Sequence, residues 1–387
     1  MHGAGGAVIV NRTFHLVTGE FPPRSGGVGD YTRLLALGLA AHGCVVHVWC
    51  PGVDEHQEDG VRLHRLPDAF GRRARRTLHA ALLAAPGCLL LQYVPNALGW
   101  RGANIAFCLW LMRAGRTTDV RVMFHEPYFY FGRQSLARNA LAAVQRVMAA
   151  ALLRAASTAY LPTDAWRRYL EAWAPEDLVV RVIPVPATLP GDVPGGLVER
   201  WRRRLREDPT AAVIGHFGTF GDHVAEELRN VLPHVLALPC RVRVALIGRR
   251  SDSFAASLPE LVRKRIVATG ELSALDAAAA LHACDLLVQP YPDGVTTRRT
   301  SVMAGLAAGV AVVTTDGELS EAVWRATGAA ALVPCGDPEA VAKVVTHLLQ
   351  HPQERLEQAA RGRRVYDAEF AMDHSIVALI EELRASA

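Results

Sequence analysis

FPPRSGGVGDYT, residues 21–32, and AAVIGHFGTFGDH, residues 211–223, carry one pattern at two places in the chain. Each is a glycine-rich turn between an apolar strand (14–18 in the first case, 211–217 in the second) and a helix. A turn of this kind lets backbone N–H groups and a helix N-terminus face an anion with no side chain in the way. Two such units, each at the head of its own series of strands, predict an α/β fold of two doubly wound Rossmann-like domains facing across a cleft. That arrangement suits an enzyme holding a phosphorylated donor on one wall and an acceptor on the other.

Working outward, short unalternating apolar runs at 14–18, 45–49, 61–66, 88–92, 120–125, 157–161 and 179–184 read as parallel strands buried on both faces. Ala/Leu/Arg helices, such as 29–42 and 134–155, fill the gaps. PVPATLPGDVPGG at 184–196, with four prolines and three glycines, marks a linker. A second series follows at 211–217, 242–248, 265–269, 286–290, 310–315 and 331–334, and the tail (353–386) is helical. The length of 387 residues suits two domains, and half the residues are hydrophobic. Residues 1–190 hold 20 arginines against 13 acids; the remainder holds 20 arginines and 2 lysines against 25 acids. The first half is therefore net basic, which suits an anionic or lipid-linked acceptor, or equally an Arg-rich solvated surface. Seven cysteines with no C-x-x-C pair, most of them inside apolar strands or helices, read as buried reduced thiols. Residues 1–8 lack the apolar core of a signal peptide, and Ala103–Met112, read as the longest apolar stretch, is about half a bilayer span. The expectation is a cytoplasmic protein, with contact at the inner membrane face through Arg72, Arg73, Arg75 and Arg76 left open.

The second half carries the densest chemistry. VALIGRRSDS (244–253) places Arg249 past the carboxyl end of a strand, the edge where open α/β sheets bind ligands. IVATGEL (266–272) leaves Gly270, Glu271 and Leu272 at that edge. LLVQPYPDGVTTRRTSVMAGLAAG (286–309) runs from strand to polar loop to small-residue helix. There Arg298 and Arg299 offer bidentate charge to phosphate oxygens. Thr296, Thr297, Thr300 and Ser301 offer hydroxyls, Thr300 or Ser301 also as helix caps. The other reading of these arginines is a surface ion-pair face. Backbone N–H groups near Gly218 and Thr219 complete the expected donor site. In the first half, Gly26, Gly27, Val28, Gly29 and Asp30 form the loop expected to meet phosphate or acceptor. MFHEPY (123–128) puts His125 and Glu126 at a strand end, with His125 set to bind a sugar hydroxyl and Glu126 to orient it or act on an acceptor. Gln92 and Tyr93 end another strand, for acceptor recognition or for packing.

Several classes are disfavoured. There is no H-E-x-x-H or Cys/His cluster, so no metal is expected; no G-x-S-x-G elbow; and no G-x-x-x-x-G-K-[ST] loop. The arginine runs lack interleaved aromatics, which argues against nucleic acid.

These motifs, in order and spacing over nearly the whole chain, resemble GT-B glycosyltransferases of the retaining family 4 type. FPPRSGGVGDYT resembles that family's first-domain glycine loop and HEPY its histidine segment. GHFGTFGDH, LIGRR, ATGEL and the segment ending AAGVAVVTT resemble its donor domain. The resemblance implies metal-independent, retaining transfer from a nucleoside diphosphate sugar, a UDP-sugar being expected, to a hydroxyl of a polysaccharide, glycolipid or small molecule. It implies an acceptor domain over 1–186, a donor domain over 187–365, and a final helix over 366–387 packing back on the first. His125, Glu126, Arg298 and Arg299 take the catalytic places. The family's two glutamates, eight positions apart, align with Thr296 and Ala304, and its loop Arg and Lys after the first donor-domain strand are also absent. Arg298 and Arg299 stand in for the missing charge, and Asp293 and Glu271 are the candidate substitutes for the carboxylates. The alternatives are a non-catalytic nucleotide-sugar-binding scaffold, or an inverting GT-B transferase or epimerase.

Overall fold

Short β-branched and leucine runs, apolar without alternation, make up two parallel sheets, as strands covered by helices on both faces should. The computed structural model describes residues 12–23, 26–52, 54–132, 135–206, 208, 210–238 and 240–385. The chain divides into two units. One comprises the described residues up to Pro184 and those from Met372 onward; the other is Val185–Ala371.

In the first unit, β1 (Thr13–Thr18), β2 (Val45–Cys50), β3 (His56–Glu58), β4 (Val61–Arg65), β5 (Cys88–Tyr93), β6 (Val120–Phe124), β7 (Thr158–Leu161) and β8 (Val179–Val182) form one sheet in the order β3-β4-β2-β1-β5-β6-β7-β8. Only β3 runs antiparallel, against β4. The strand order reverses at β1, which lies between β2 and β5. The second unit has β9 (Ala212–Phe217), β10 (Val242–Ile247), β11 (Ile266–Ala268), β12 (Leu286–Gln289), β13 (Val312–Asp316) and β14 (Ala331–Pro334) in the order β11-β10-β9-β12-β13-β14, all parallel. This is the doubly wound order in which ligands bind outside the carboxyl ends at the reversal, here between β9 and β12. Alternate residues of β9 enter different cores: Val213 packs with Ala245 and Leu287, Ile214 with Leu246 and Val288.

The expected boundaries shift by a few residues for identifiable reasons. The Val185 N–H donates to Thr297 O at 3.0 Å and the Ala187 N–H to the Tyr366 hydroxyl at 3.2 Å, so the Pro/Gly segment is fastened to the second unit. Residues Tyr366–Phe370 stay there too, with Phe370 against Trp324 at 5.6 Å. The helix Leu136–Ala155 is long and apolar enough, by length and composition alone, to cross a membrane, and it exceeds the stretch read as longest from sequence. Met148, Ala149, Leu152 and Leu153 on it lie in the first unit's core, as on the core helix of a folded domain. Of the cysteines, Cys240 is exposed, against the expectation for the group.

Helix Met372–Ala385 packs on helix Gly27–Ala41, where a Cβ on Gly38 would collide with Ile376 Cδ1. It also brings Glu382 to Arg121. That guanidinium, 1% exposed in β6, bonds Asp119 Oδ2 at 3.0 Å, the Tyr160 hydroxyl at 3.1 Å and Glu382 Oε2 at 3.4 Å. Removing one partner of a buried ion pair leaves its charge uncompensated, at about 3 kcal/mol or more. Asp119 stays beside Arg121, so Glu382→Ala is expected to lower the unfolding free energy measured in urea by up to about that amount, and Arg121→Met with Glu382→Leu to recover part of it.

Candidate functional site

In the first unit the ends of β5 and β6 bring Gln92 and His125 together, and Tyr31 of the helix Gly27–Ala41 joins them. The His125 N–H continues the ladder to Tyr93 O (3.0 Å), which turns the imidazole away from the core that receives Phe124. Its Nε2 lies 2.7 Å from Gln92 Oε1, and its ring meets Tyr31 edge-on at 5.1 Å. With Nε2–H donating to the amide oxygen, Nδ1 is left as the acceptor. The Gln92 Nε2, buried, has no partner and is a ready donor. Burial pushes the His125 pKa down to about 3, so the ring is neutral at pH 7 and acts as a hydrogen-bonding group.

Two expectations change here. Gln92, not the exposed Glu126, orients His125. Tyr93 is fully buried with Phe124 in the hydrophobic core, so its role is packing, while Gln92 faces the other side of the sheet. The glycine loop also differs from expectation. Glu20 Oε1 accepts the Val28 N–H (3.1 Å) and the Gly29 N–H (3.3 Å), and a Cβ on Gly26 would strike the same carboxylate. The helix N-terminus thus already holds an anion. Asp30 feels it: burial first and then Glu20 raise its pKa, against Arg33. Gly27 is exposed at the start of the helix.

In the second unit the polar groups gather at the carboxyl ends of β9 to β13. The 290–299 loop is braced from several sides. Glu321 accepts the Thr297 N–H (3.1 Å), the Thr297 hydroxyl (2.7 Å) and the Trp324 indole N–H (3.0 Å). The Tyr291 N–H donates to Thr315 Oγ1 at 2.8 Å, and the Val295 N–H to Thr315 O at 2.8 Å. Gly294 has φ +92 and lies so close to Gly317 and Ser320 that no side chain fits. On this frame Arg299 stacks 4.1 Å over the Tyr291 ring and bonds Asp293 at 2.9 Å, while Arg298, half-buried, precedes helix Thr300–Ala307.

The frame corrects several roles. Thr297 is spent on Glu321, and Asp293 is ion-paired with Arg299, so neither is an open ligand group. Neither Thr300 nor Ser301 caps the helix; Ser301 Oγ lies 2.6 Å from the Tyr291 hydroxyl. The Gly218 N–H donates to Ile247 O at 3.1 Å, leaving exposed Thr219 as the open residue of that turn. Gly248, at φ +120, packs directly on Gly218 O, which brings Arg249, exposed, beside the turn. Gly270, at φ +67, takes its hydrogen bond from N–H to Ser251 Oγ (2.9 Å); Glu271 is exposed and Leu272 packs on the core. Ala304 is core-buried, so no carboxylate stands there.

Among the buried side-chain atoms without a protein partner are both amide atoms of Gln289, Thr296 Oγ1 and His216 Nε2. Buried polar atoms are almost always bonded, so orphans at a ligand-binding edge point to a ligand or ordered water. His216 Nδ1–H donates to Val288 O at 2.9 Å, and its bare Nε2 lies beneath the Gly218 turn. Sequence reasoning missed Gln289, His216, Tyr31, Glu20 and Glu321. A polar residue interrupting LLVQ and VIGHF was the available signal for the first two.

Burial lowers His216 to about 4 and, in the first unit, His47 to about 4 with help from His15 and His64. The unfolded chain therefore binds protons that the folded chain refuses between pH 6.5 and 4, and stability falls as pH falls through that window. His216→Phe is expected to flatten this profile by on the order of 3 kcal/mol at pH 4, read from unfolding midpoints at pH 7 and pH 4.

Comparison with known proteins bears on this geometry. Residues 26–186 match the glycosyl transferase 4-like domain, and residues 209–351 match the glycosyl transferases group 1 family, so the two cover most of the chain. No curated protein matches in sequence. Among solved structures, sucrose-phosphate synthase from Thermosynechococcus elongatus superposes with a TM-score of 0.74 at 17% identity, over 97% of this chain and 100% of that one. HepE of Anabaena, solved with UDP and glucose, gives 0.69 at 13% over 97% and 100%. The α,α-trehalose 6-phosphate synthase of Burkholderia multivorans gives 0.68 at 14% over 97% of each. With two Rossmann-like units in the order of these models, the chain belongs to the GT-B glycosyltransferases of the glycosyltransferase 4-like type.

Proposed function

We propose that this protein transfers a glycosyl group from a UDP-sugar to a hydroxyl acceptor, with retention of anomeric configuration and without a metal ion. The observation that carries this reading is the braced pair Arg298–Arg299 at the reversal of the second sheet. UDP and UDP-glucose bound to the similar HepE support the choice of donor.

The donor pyrophosphate is held by Arg298, Arg299 and Arg249 and by the start of helix Thr300–Ala307. As the bond from C1 to the phosphate oxygen breaks, negative charge grows on the leaving group, where fixed guanidinium charge stabilises it most. The acceptor oxygen bonds to C1 on the same face, and its proton passes to the departing phosphate. Gln289 and Thr296, buried and unpartnered, take the donor's hydroxyls in place of the missing glutamates. His125, neutral and oriented by Gln92, binds a sugar hydroxyl. The acceptor is an anionic or lipid-linked alcohol, in keeping with the basic first half.

A second reading, a nucleotide-sugar-binding protein without turnover, draws on buried Ala304 and ion-paired Asp293. Thermal unfolding with UDP-, GDP-, ADP- and dTDP-sugars in EDTA separates the readings when paired with an acceptor screen. Selective stabilisation by a UDP-sugar, about 2.7 kcal/mol at a hundredfold excess over Kd, with transfer of the sugar and retained configuration by NMR, is the expected result. Stabilisation with neither transfer nor hydrolysis favours the second reading. Replacing Arg298 and Arg299 together by Ala is expected to lower kcat by about a thousandfold or more; full activity in that variant overturns the phosphate assignment. Gln289→Leu should weaken UDP-sugar binding while leaving the fold intact.

A further inference from the structure

We propose that His347, His351 and Glu354 form a binding site for a borderline divalent transition metal, Zn²⁺ or Ni²⁺, that ties helix Pro338–Gln350 to helix Pro352–Val365. One ligand atom from each residue lies within 4.8 Å of the other two. The two histidines are four residues apart at the end of one helix, and their rings stack at 4.2 Å and 27°. Glu354 reaches them from the first turn of the next helix.

The hydrogen bonds prepare the site. His351 is gripped twice by one carbonyl: its backbone N–H (2.9 Å) and its Nδ1–H (2.8 Å) both donate to His347 O. That fixes the ring and leaves Nε2 with its lone pair free. A metal-bound histidine commonly has this second bond, because it sets the tautomer and makes the ligating nitrogen more basic. His347 Nε2 and Glu354 Oε2 share a proton at 2.7 Å. A metal takes the place of that proton. Across a tetrahedral ion with bonds near 2.0–2.1 Å, two ligand atoms stand about 3.3 Å apart, so this pair opens by roughly half an ångström while His351 closes in. All three side chains are exposed, so side-chain rotation alone achieves this. Two imidazoles and one carboxylate suit Zn²⁺ and Ni²⁺ and are poor ligands for Mg²⁺ or Ca²⁺, which prefer oxygen. Water completes the coordination. The site belongs to the packing of the two helices, separate from the arginine loop and its chemistry.

The test uses full-length protein without a histidine tag, carrying Cys240→Ser so that the exposed thiol does not compete. ZnCl₂ and NiCl₂ are titrated calorimetrically at pH 7.5, and thermal unfolding is followed with and without metal. One equivalent should bind and raise Tm. His347→Ala, His351→Ala and Glu354→Ala should each weaken binding at least about tenfold, while His223→Ala, another exposed histidine, should not. The three variants should unfold like the parent when no metal is present. Absence of saturable one-to-one binding, or undiminished binding in the His347→Ala, His351→Ala double variant, overturns the proposal. So does a tenfold stronger response to Mg²⁺.

Discussion

Two guanidinium groups on consecutive residues repel each other, and the arrangement of the loop after β12 depends on how that repulsion is met. At 4 Å two like charges cost about 1 kcal/mol in water and about 4 kcal/mol near a protein surface. The opposing contacts are charge-assisted hydrogen bonds, each worth about 1.5–3 kcal/mol. Asp293 answers Arg299 directly, and the Tyr291 ring takes its flat face. Glu321 acts one residue earlier, on both the backbone and the hydroxyl of Thr297. The sum outweighs the repulsion, so the loop can present fixed positive charge without first collapsing onto a ligand. Preorganised charge of this sort stabilises a developing anion at no cost in rearrangement.

The two glycine turns that look alike in sequence have different chemistry. In the first unit the helix N-terminus is filled by Glu20, and the polar group that remains is a neutral, oriented imidazole. In the second unit the turn packs against Gly248, and arginines beyond it supply the charge. The repeat is thus one of architecture. The first unit presents hydrogen-bonding side chains at its sheet edge, and the second presents cations.

Much of the fold was legible because strands buried on both faces leave apolar runs with no alternation; β5, β9, β10 and β12 all fall where such runs lie. β3 was missed, since HQE is polar, mostly exposed and only three residues long. The position of these residues at strand ends was legible for the same reason as the strands: a residue after an apolar run lies at a sheet edge. Partners were not. Thr297 and Glu321 are 24 residues apart, His125 and Gln92 33 apart, and no local spacing links them. Nor can a two-sided strand say which face a residue takes, which is why Tyr93 was placed at the site when it packs in the core. Glu20 is the exception, eight residues before the amide that it accepts.

The helix that returns to the first unit also dictates an order of assembly. Arg121 lies on an interior strand of its sheet, but the carboxylate that completes its surroundings lies 261 residues further along. As the chain leaves the ribosome, all of Val185–Ala371 is made in between, as a continuous segment with its own cores. The unit begun first is therefore the one finished last. Until Glu382 arrives, the nascent first unit holds a guanidinium short of one of its partners and a bare groove beside Gly38.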